Sequence, residues 1–461
     1  MPRPGKVRRV RTLVLGGTVV TVDGELPGRG SAPSAVHVDG ELEIAGDRIV
    51  YVGPRRADSP GRGACRVLDA RGCAVIPGFV QAHVHLCQVL LRGLADDLPL
   101  LEWLKERIWP LEAAHDPRSL RASADLGLLE MSLAGTTTML DMGTVHHHDA
   151  VFEAAEASGL CVFSGKAMMD VGADVPAGLR ETTEASLAES DALSARWNGR
   201  HGRLHYAYAP RFILSCSEPL WRALAERMAK GALVHSHVAE HPGEREAVFA
   251  QLAMTDLDAL RSYGIKGPRT VLAHGVQLTP EEVRHVAADG TRIVHCPSAN
   301  LKLGSGIAPV WDYWQAGVQL AMGADGAPCN NNLDPWMELR HAALLAKVRT
   351  GTTTLPAEAA FRLATLEGAK ALGIADQTGS LEAGKRADVV VVKLDGPHVE
   401  PGGNVYSRLV YAAKSSDVRH VFASGEAVVW DGQSTRFDAE RVVAEARTQM
   451  QALLGRAGLR S

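Results

Sequence analysis

Ala74–Cys87 reads AVIPGFVQAHVHLC, an apolar run interrupted at Pro77-Gly78 that resumes and closes on two histidines one residue apart, His83 and His85. Side chains alternate faces along a strand, so both imidazoles point the same way, close enough to share one ion. Imidazole suits zinc, iron and other first-row metals. A His-x-His pair also arises by chance in a chain with 18 histidines, so the pair gains meaning only from partners elsewhere.

Working outward, the same kind of run recurs. From about Val75 to Gly373 the chain alternates strand-like runs with amphipathic helical stretches. The runs are CAVIPGFVQAH, TTTMLDMG, LCVFSGKAMMD, RLHYAYAP, ALVHSHVAE, RTVLAHGV, TRIVHCP and VQLAMGAD. Segments such as SLRASADLGLLEMSLAG and EPLWRALAERMAK separate them. Eight such units predict a (β/α)₈ TIM barrel. A doubly wound sheet would carry a glycine-rich phosphate loop after its first strand, and the sequence has none. Before and after this region lie β-rich pieces with Gly and Asp turns, such as AVHVDGELEIAGDRIVYVG and DVRHVFASGEAVVWDG. Neither piece has enough strands to bury a core alone, so the two are expected to pair. The expected organisation is α/β: a small β-sandwich from residues 1–74 and 374–436, a barrel over 75–373, and a charged amphipathic C-terminal helix over 437–461 acting as a cover or interface.

Composition sets bounds. The chain has 461 residues, 46 % hydrophobic and 22 % charged, with a formal charge of −4, which describes ordinary globular material without a basic stripe for nucleic acid. The apolar part of TLVLGGTVVTV is short, β-branched and broken by glycine, so it predicts a first strand rather than a signal or membrane segment. Seven scattered cysteines, with no C-x-x-C, argue against a disulfide framework and fit a reducing cytoplasm.

A barrel places its active residues at the C-terminal ends of several strands. His83 and His85 end the first run, His237 and Glu240 the fifth, His274 the sixth, His295 the seventh and Asp325 the eighth. Each has a bland reading: His274 as a core histidine, Asp325 as a helix N-cap, Glu240 as a loop carboxylate. Five strand ends that all finish on ligand-type residues point to a metal site. The His146-His147-His148 triple follows the second run, where substrate contact or a solvated loop is the better reading than ligation.

The chain resembles the amidohydrolase superfamily, in its branch of metal-dependent aminohydrolases and chlorohydrolases of purines, pterins and s-triazines. The resemblance rests on PGFVQAHVH, LADDLPLLEWLKERIWPLE, HVAE, LAHGV, HCPSANLKLGSGIAPV, GADGAPCNNNLD and GSLEAGKRADVVVV, which span nearly the whole chain. It implies a distorted barrel with a β-sandwich from both termini. It also implies His83, His85, His237 and Asp325 as ligands of one divalent ion, zinc first with iron or manganese as alternatives. Binuclear relatives use a lysine on the fourth strand, and RLHYAYAP has none. His235 shares the strand face of His237 and is an alternative supporting residue.

The activity implied is hydrolytic deamination. It needs hydroxide at neutral pH, which a bound metal supplies by lowering the pKa of its water toward about 7. The resemblance gives Asp325 the water's proton, Glu240 the proton relay to the ring nitrogen, and His274 the hold on the nucleophile. For the substrate, Glu112 of WPLE would contact ribose hydroxyls and Trp103 would line the pocket, as in deaminases of adenosine, 5′-deoxyadenosine, methylthioadenosine or S-adenosylhomocysteine. Gln88 and Arg211 resemble guanine deaminase instead. An adenosine-type aminopurine is the first expectation, oxo-aminopurines the second, triazines or pterins behind them. Expected partners are a small-molecule substrate and further copies of the chain, as a dimer or tetramer, with neither nucleic acid nor membrane.

Overall fold

The computed structural model describes residues 11–25, 34–57 and 65–459; the basic opening segment lies outside them. Each of the eight runs contains one barrel strand: Phe79–His85, Thr136–Met142, Cys161–Gly165, Leu204–Pro210, Leu233–Val238, Thr270–His274, Arg292–His295 and Gln319–Met322. Neighbours pair in parallel from the first strand to the eighth. Just beyond the eighth, Asp325 and Gly326 pair with Val84 and His85 and close the ring. The strands are buried along almost their whole length, which is why they read as continuous apolar runs rather than alternating ones.

Helices between the strands start where the sequence supplies caps. Asp116 and Thr279 each form a capping box with proline at the first helical turn, opening Pro117–Leu133 and Pro280–Asp289. Ser217 caps Glu218–Ala229 without a capping box, its Oγ accepting from Leu220 N–H at 3.3 Å. The C-terminal helix, Ala439–Ala457, packs on Pro117–Leu133, with Arg118 bonded to Glu445 at 2.8 Å and Arg456 to Ser119 Oγ at 2.9 Å. Among the described residues no helix is long and apolar enough to cross a membrane.

The two terminal pieces do combine. Val389–Lys393 pairs antiparallel with Cys73–Pro77, and Arg11–Val20 pairs with Val36–Ala45. Among the described residues nine strands form one hydrogen-bonded sheet, and it is mixed rather than purely antiparallel, because Cys65–Asp69 and Cys73–Pro77 both run parallel to Arg11–Val20. The reason lies at Gly16-Gly17, where the register shifts and Gly16 takes φ +83°, so the two halves of one strand meet different neighbours. Val14, Leu42 and Ile49 from the N-terminal strands share a core with Val389, Val391 and Phe422. Pro77-Gly78 is the joint: Cys73–Pro77 belongs to this sheet, Phe79–His85 to the barrel. Gly78 N–H donates to Asp388 O at 3.0 Å, and a Cβ there would lie 2.1 Å from Thr137 Oγ1.

Barrel closure is equally tight. A Cβ on Gly323 would fall 2.4 Å from His83 O, and Gln81 bonds both Thr136 Oγ1 and Ala324 N across the seam at 3.1 and 3.2 Å. Gly323→Ala is therefore expected to cost about 1–3 kcal/mol and to loosen metal retention with it, since the displaced atoms belong to His83. Thermal unfolding and metal content check this; an unchanged melting temperature would show that the seam yields freely.

Candidate active site

The ends of the first, fifth and eighth strands converge on one buried cluster. His83 and His85 share a face of the first strand, His237 comes from the fifth, and Asp325 lies just past the eighth; donor atoms of all four lie within 4.8 Å of one another. The tautomers follow from the partners. His85 Nδ1 lies 2.8 Å from Met142 O, and His237 Nδ1 lies 2.6 Å from Arg211 O. Backbone carbonyls only accept, so each Nδ1 carries the hydrogen and each Nε2 is left as a lone pair. Those two Nε2 atoms face each other at 3.3 Å, and Asp325 Oδ1 stands 3.2 Å from His83 Nε2 and 3.3 Å from His85 Nε2.

Burial pushes the histidines below their ordinary range, His85 to about 3, so they are neutral. Acceptors crowded on one point with no hydrogen between them call for a cation. Three neutral imidazoles and one carboxylate form a donor set that fits zinc, and equally iron or manganese. His83 Nδ1 lies 2.8 Å from His235 Nε2, which can take the hydrogen and free His83 Nε2 for the ion. His235 thus stands behind the cluster rather than in it.

Beside this cluster lie Glu240 and His274. Glu240 Oε2 is 3.4 Å from His274 Nε2, and Asp325 Oδ2 is 3.9 Å from the same nitrogen. The other ring nitrogen, His274 Nδ1, pairs with Asn300 Oδ1 at 2.9 Å. Burial and then the Asp325 charge push Glu240 well above the usual carboxylate range. Burial opposes ionisation of Asp325 too, but a positive charge at its Oδ1, a proton on His83 Nε2 or a cation in that proton's place, holds it well below that range. One carboxyl keeps its proton while the other gives it up, and they flank the same point.

The backbone that aims these groups is unusual. Ala239, His274 and Asp325 all take left-handed conformations, with φ of +48°, +76° and +63°. Such positions cost about 1–3 kcal/mol each and persist where surroundings enforce them. Here Ala239 N–H donates to Asp256 and Glu240 N–H to Glu244 Oε2 at 3.0 Å, while Arg245 bridges Asp256 and Glu282.

A small, partly open pocket lies on the cluster. His85, His237, Glu240, Glu244, His274 and Asp325 form its polar end, and Leu100, Trp103, Leu104, Phe212 and Leu303 its apolar walls. Trp103 and Leu104 sit where a π-helical turn, Leu104–Ile108, interrupts the helical stretch. Gln88 and Arg211 line the pocket between the two ends. Glu112 does not line it: it is buried behind them, bonded to Arg211 Nη1 at 2.5 Å and Nη2 at 3.2 Å, and to Gln88 Nε2 at 2.8 Å. Gln88 Oε1 and Trp103 Nε1 are buried without a partner.

Residues from the sequence motifs thus converge, with exceptions. His295 is buried at its strand end outside the cluster. His148 bonds Ser164 at 2.8 Å, and His146 approaches Glu181 and Glu189, two carboxylates already matched by the buried Lys166. Glu244 and Asn300 were not foreseen. Glu244 has a faint local signal, as an acid in the first turn after Pro242; Asn300 has none.

A family model, Amidohydrolase family, matches residues 74–428. The chain belongs to the amidohydrolase family. This amidohydrolase is 38 % identical over 436 residues to a 5-methylthioadenosine/S-adenosylhomocysteine deaminase of Moorella thermoacetica, covering 94 % of this chain and 97 % of the relative. It is 36 % identical over 422 residues to a 5′-deoxyadenosine deaminase of Methanosarcina acetivorans, covering 91 % and 94 %. Its fold matches a zinc-bound adenosine deaminase from Xanthomonas campestris with a TM-score of 0.87 at 32 % identity, over 97 % of this chain and 99 % of the other.

For this amidohydrolase, His83→Ala is expected to abolish tight metal binding. His235→Leu should weaken it by about 10–100-fold while leaving the donor set intact. Titration against a competing chelator measures both; wild-type affinity in His235→Leu would remove His235 from the support of His83.

Proposed function

We propose that this amidohydrolase is a metal-dependent hydrolytic deaminase of aminopurines, acting on nucleosides of the adenosine type. The observation that carries the reading is the cluster of His83, His85, His237 and Asp325 with Glu240 and His274 beside it, at the polar end of a mostly apolar pocket. The deaminase relatives and the zinc-bound adenosine deaminase support the same class. We read the ion as a single zinc held by His83, His85, His237 and Asp325, where it would act as a Lewis acid on a water.

The chain's own groups do the rest. Asp325 turns Oδ1 toward His83 and His85, leaving Oδ2 on the His274 side to take the water's proton. His274, with Nδ1 committed to Asn300, presents Nε2 as an acceptor that holds the nucleophile. Glu240 donates its proton to the ring nitrogen. A C–O bond forms, the C–N bond breaks, ammonia leaves with the proton first taken from water by Asp325, and the remaining hydroxyl proton passes to Glu240 as the carbonyl forms, restoring its acid form. Gln88, its amide NH₂ fixed on Glu112, offers Oε1 to the exocyclic N–H of an aminopurine. Apolar walls with Trp103 suit the ring and an apolar substituent.

One feature supports oxo-aminopurines as a second reading. A fixed acceptor on Gln88 beside a donor on Arg211 also matches a ring lactam, an N–H next to a C=O. Arg211, however, is already held at both ends by Glu112, so it does not require a substrate oxygen.

Ammonia release from a panel of aminopurine bases and nucleosides tests the proposal. Turnover of adenosine-type nucleosides is expected; no ammonia from any compound, with one ion bound, would end it. Glu240→Gln should keep the ion and lose about 10²–10⁴ in kcat. Arg211→Leu should leave the choice among adenosine-type nucleosides unchanged; a loss confined to oxo-purines would favour the second reading.

A further inference from the structure

Outside the site, one buried carboxylate touches the two loops that carry the site's last residues. Glu338, on helix Pro335–Thr350, is fully buried and has no contact with the pocket. Its Oε2 accepts from Ser298 N–H at 3.1 Å; its Oε1 accepts from Ser298 Oγ–H at 2.5 Å and from Asn330 Nδ2 at 2.9 Å. Asn330 spends the other hydrogen of the same NH₂ on Ala324 O, at 2.8 Å. Ala324 is the residue before Asp325, whose backbone is left-handed. Ser298 lies in the short helix Pro297–Lys302, which also carries Asn300, the partner of His274 Nδ1. Ser298 Oγ additionally meets His341 Nδ1 at 2.8 Å, from the same helix as Glu338.

We infer that Glu338 is a positioning residue for the reaction: a single buried carboxylate sets Asp325 through Asn330 and His274 through the Ser298–Asn300 turn. The reasoning is geometric. Asp325 and His274 come from different strands, each sits in a strained backbone conformation, and each is coupled through a short hydrogen-bonded path to the same side chain. Holding both paths at one point fixes the separation of Asp325 Oδ2 and His274 Nε2, the two atoms given the water between them. A buried carboxylate with three donors is also costly to leave half satisfied, so the clamp resists partial opening. The inference rests on the deaminase reading for its kinetic half, but its metal-binding half does not.

The two arms predict different losses. Asn330→Leu removes the arm to Asp325, so it should loosen the ion by about 10–100-fold in a chelator titration and lower kcat together with it. Ser298→Ala deletes the Oγ bond of the arm to His274 and leaves its N–H bond to Glu338 Oε2, so it should keep wild-type metal affinity and lower kcat by more than twofold with KM little changed. Glu338→Gln, which sets a second donor against Ser298 N–H, should show both effects. Combined with Asn330→Leu it should lose little more than the worse single variant. A merely structural Glu338 would lower the melting temperature and the folded fraction, yet leave kcat per metal-loaded site within twofold of wild type in all three variants; that outcome overturns the inference, as do equal metal affinities in Asn330→Leu and Ser298→Ala. If Glu338→Gln fails to fold, the two single-arm variants still decide. A wild-type protein without deaminase activity would defeat the functional proposal, and the metal affinity of Asn330→Leu would then still judge the clamp.

Discussion

Everything in this site follows from an electrostatic conflict that the protein backbone imposes. Two carbonyl oxygens, Met142 O and Arg211 O, claim the Nδ1 hydrogens of His85 and His237, and so force two Nε2 lone pairs against each other beside a carboxylate. In water such groups would turn away. Here they cannot, because each is anchored at the end of a different barrel strand in close-packed surroundings. A divalent cation bound there would convert the repulsion into coordination. The strain stored in the left-handed Asp325 and His274 serves the same end, aiming short side chains where a regular strand would not send them.

The same burial that keeps the histidines neutral separates the two carboxyls. Desolvation acts on Glu240 and Asp325 alike, and the neighbours decide the outcome. Asp325 faces imidazoles, while Glu240 faces Asp325 and a neutral His274. A proton donor and a proton acceptor thus arise from one residue type within one cavity. The ion pair of Arg211 with Glu112 extends this logic outward. It neutralises a buried cation at the pocket wall, fixes the Gln88 amide, and leaves the apolar walls as the main surface offered to the substrate.

Much of the architecture was legible because the hydrophobic runs are long and the barrel buries both faces of its strands. Each of the eight runs carries one barrel strand, and of the histidines and acids that close them the fold gathers all but His295. What stayed hidden is instructive. The mixed pairing around Arg11–Val20 depends on a local kink at Gly16-Gly17, a signal too small to override the general look of antiparallel hairpins. Glu112 looked like a pocket residue because its motif suggested one; its burial behind Arg211 depends on a partner 99 residues away.

The sequence by itself determined the barrel, the terminal strands that join it, and the set of histidines and acids at the strand ends from which a metal site could be built, since periodicity and strand-end chemistry are local properties. Only the tertiary structure decided which histidine ligates and which supports, which nitrogen is free, which carboxyl keeps its proton, and which side chain stands behind both loops. Those choices depend on distances between strands far apart in the chain. Pro77-Gly78 joins both kinds of information: it is plainly visible in the sequence as a break, but only the fold shows it to be the joint at which one apolar run leaves the terminal sheet and becomes the barrel strand that carries His83 and His85.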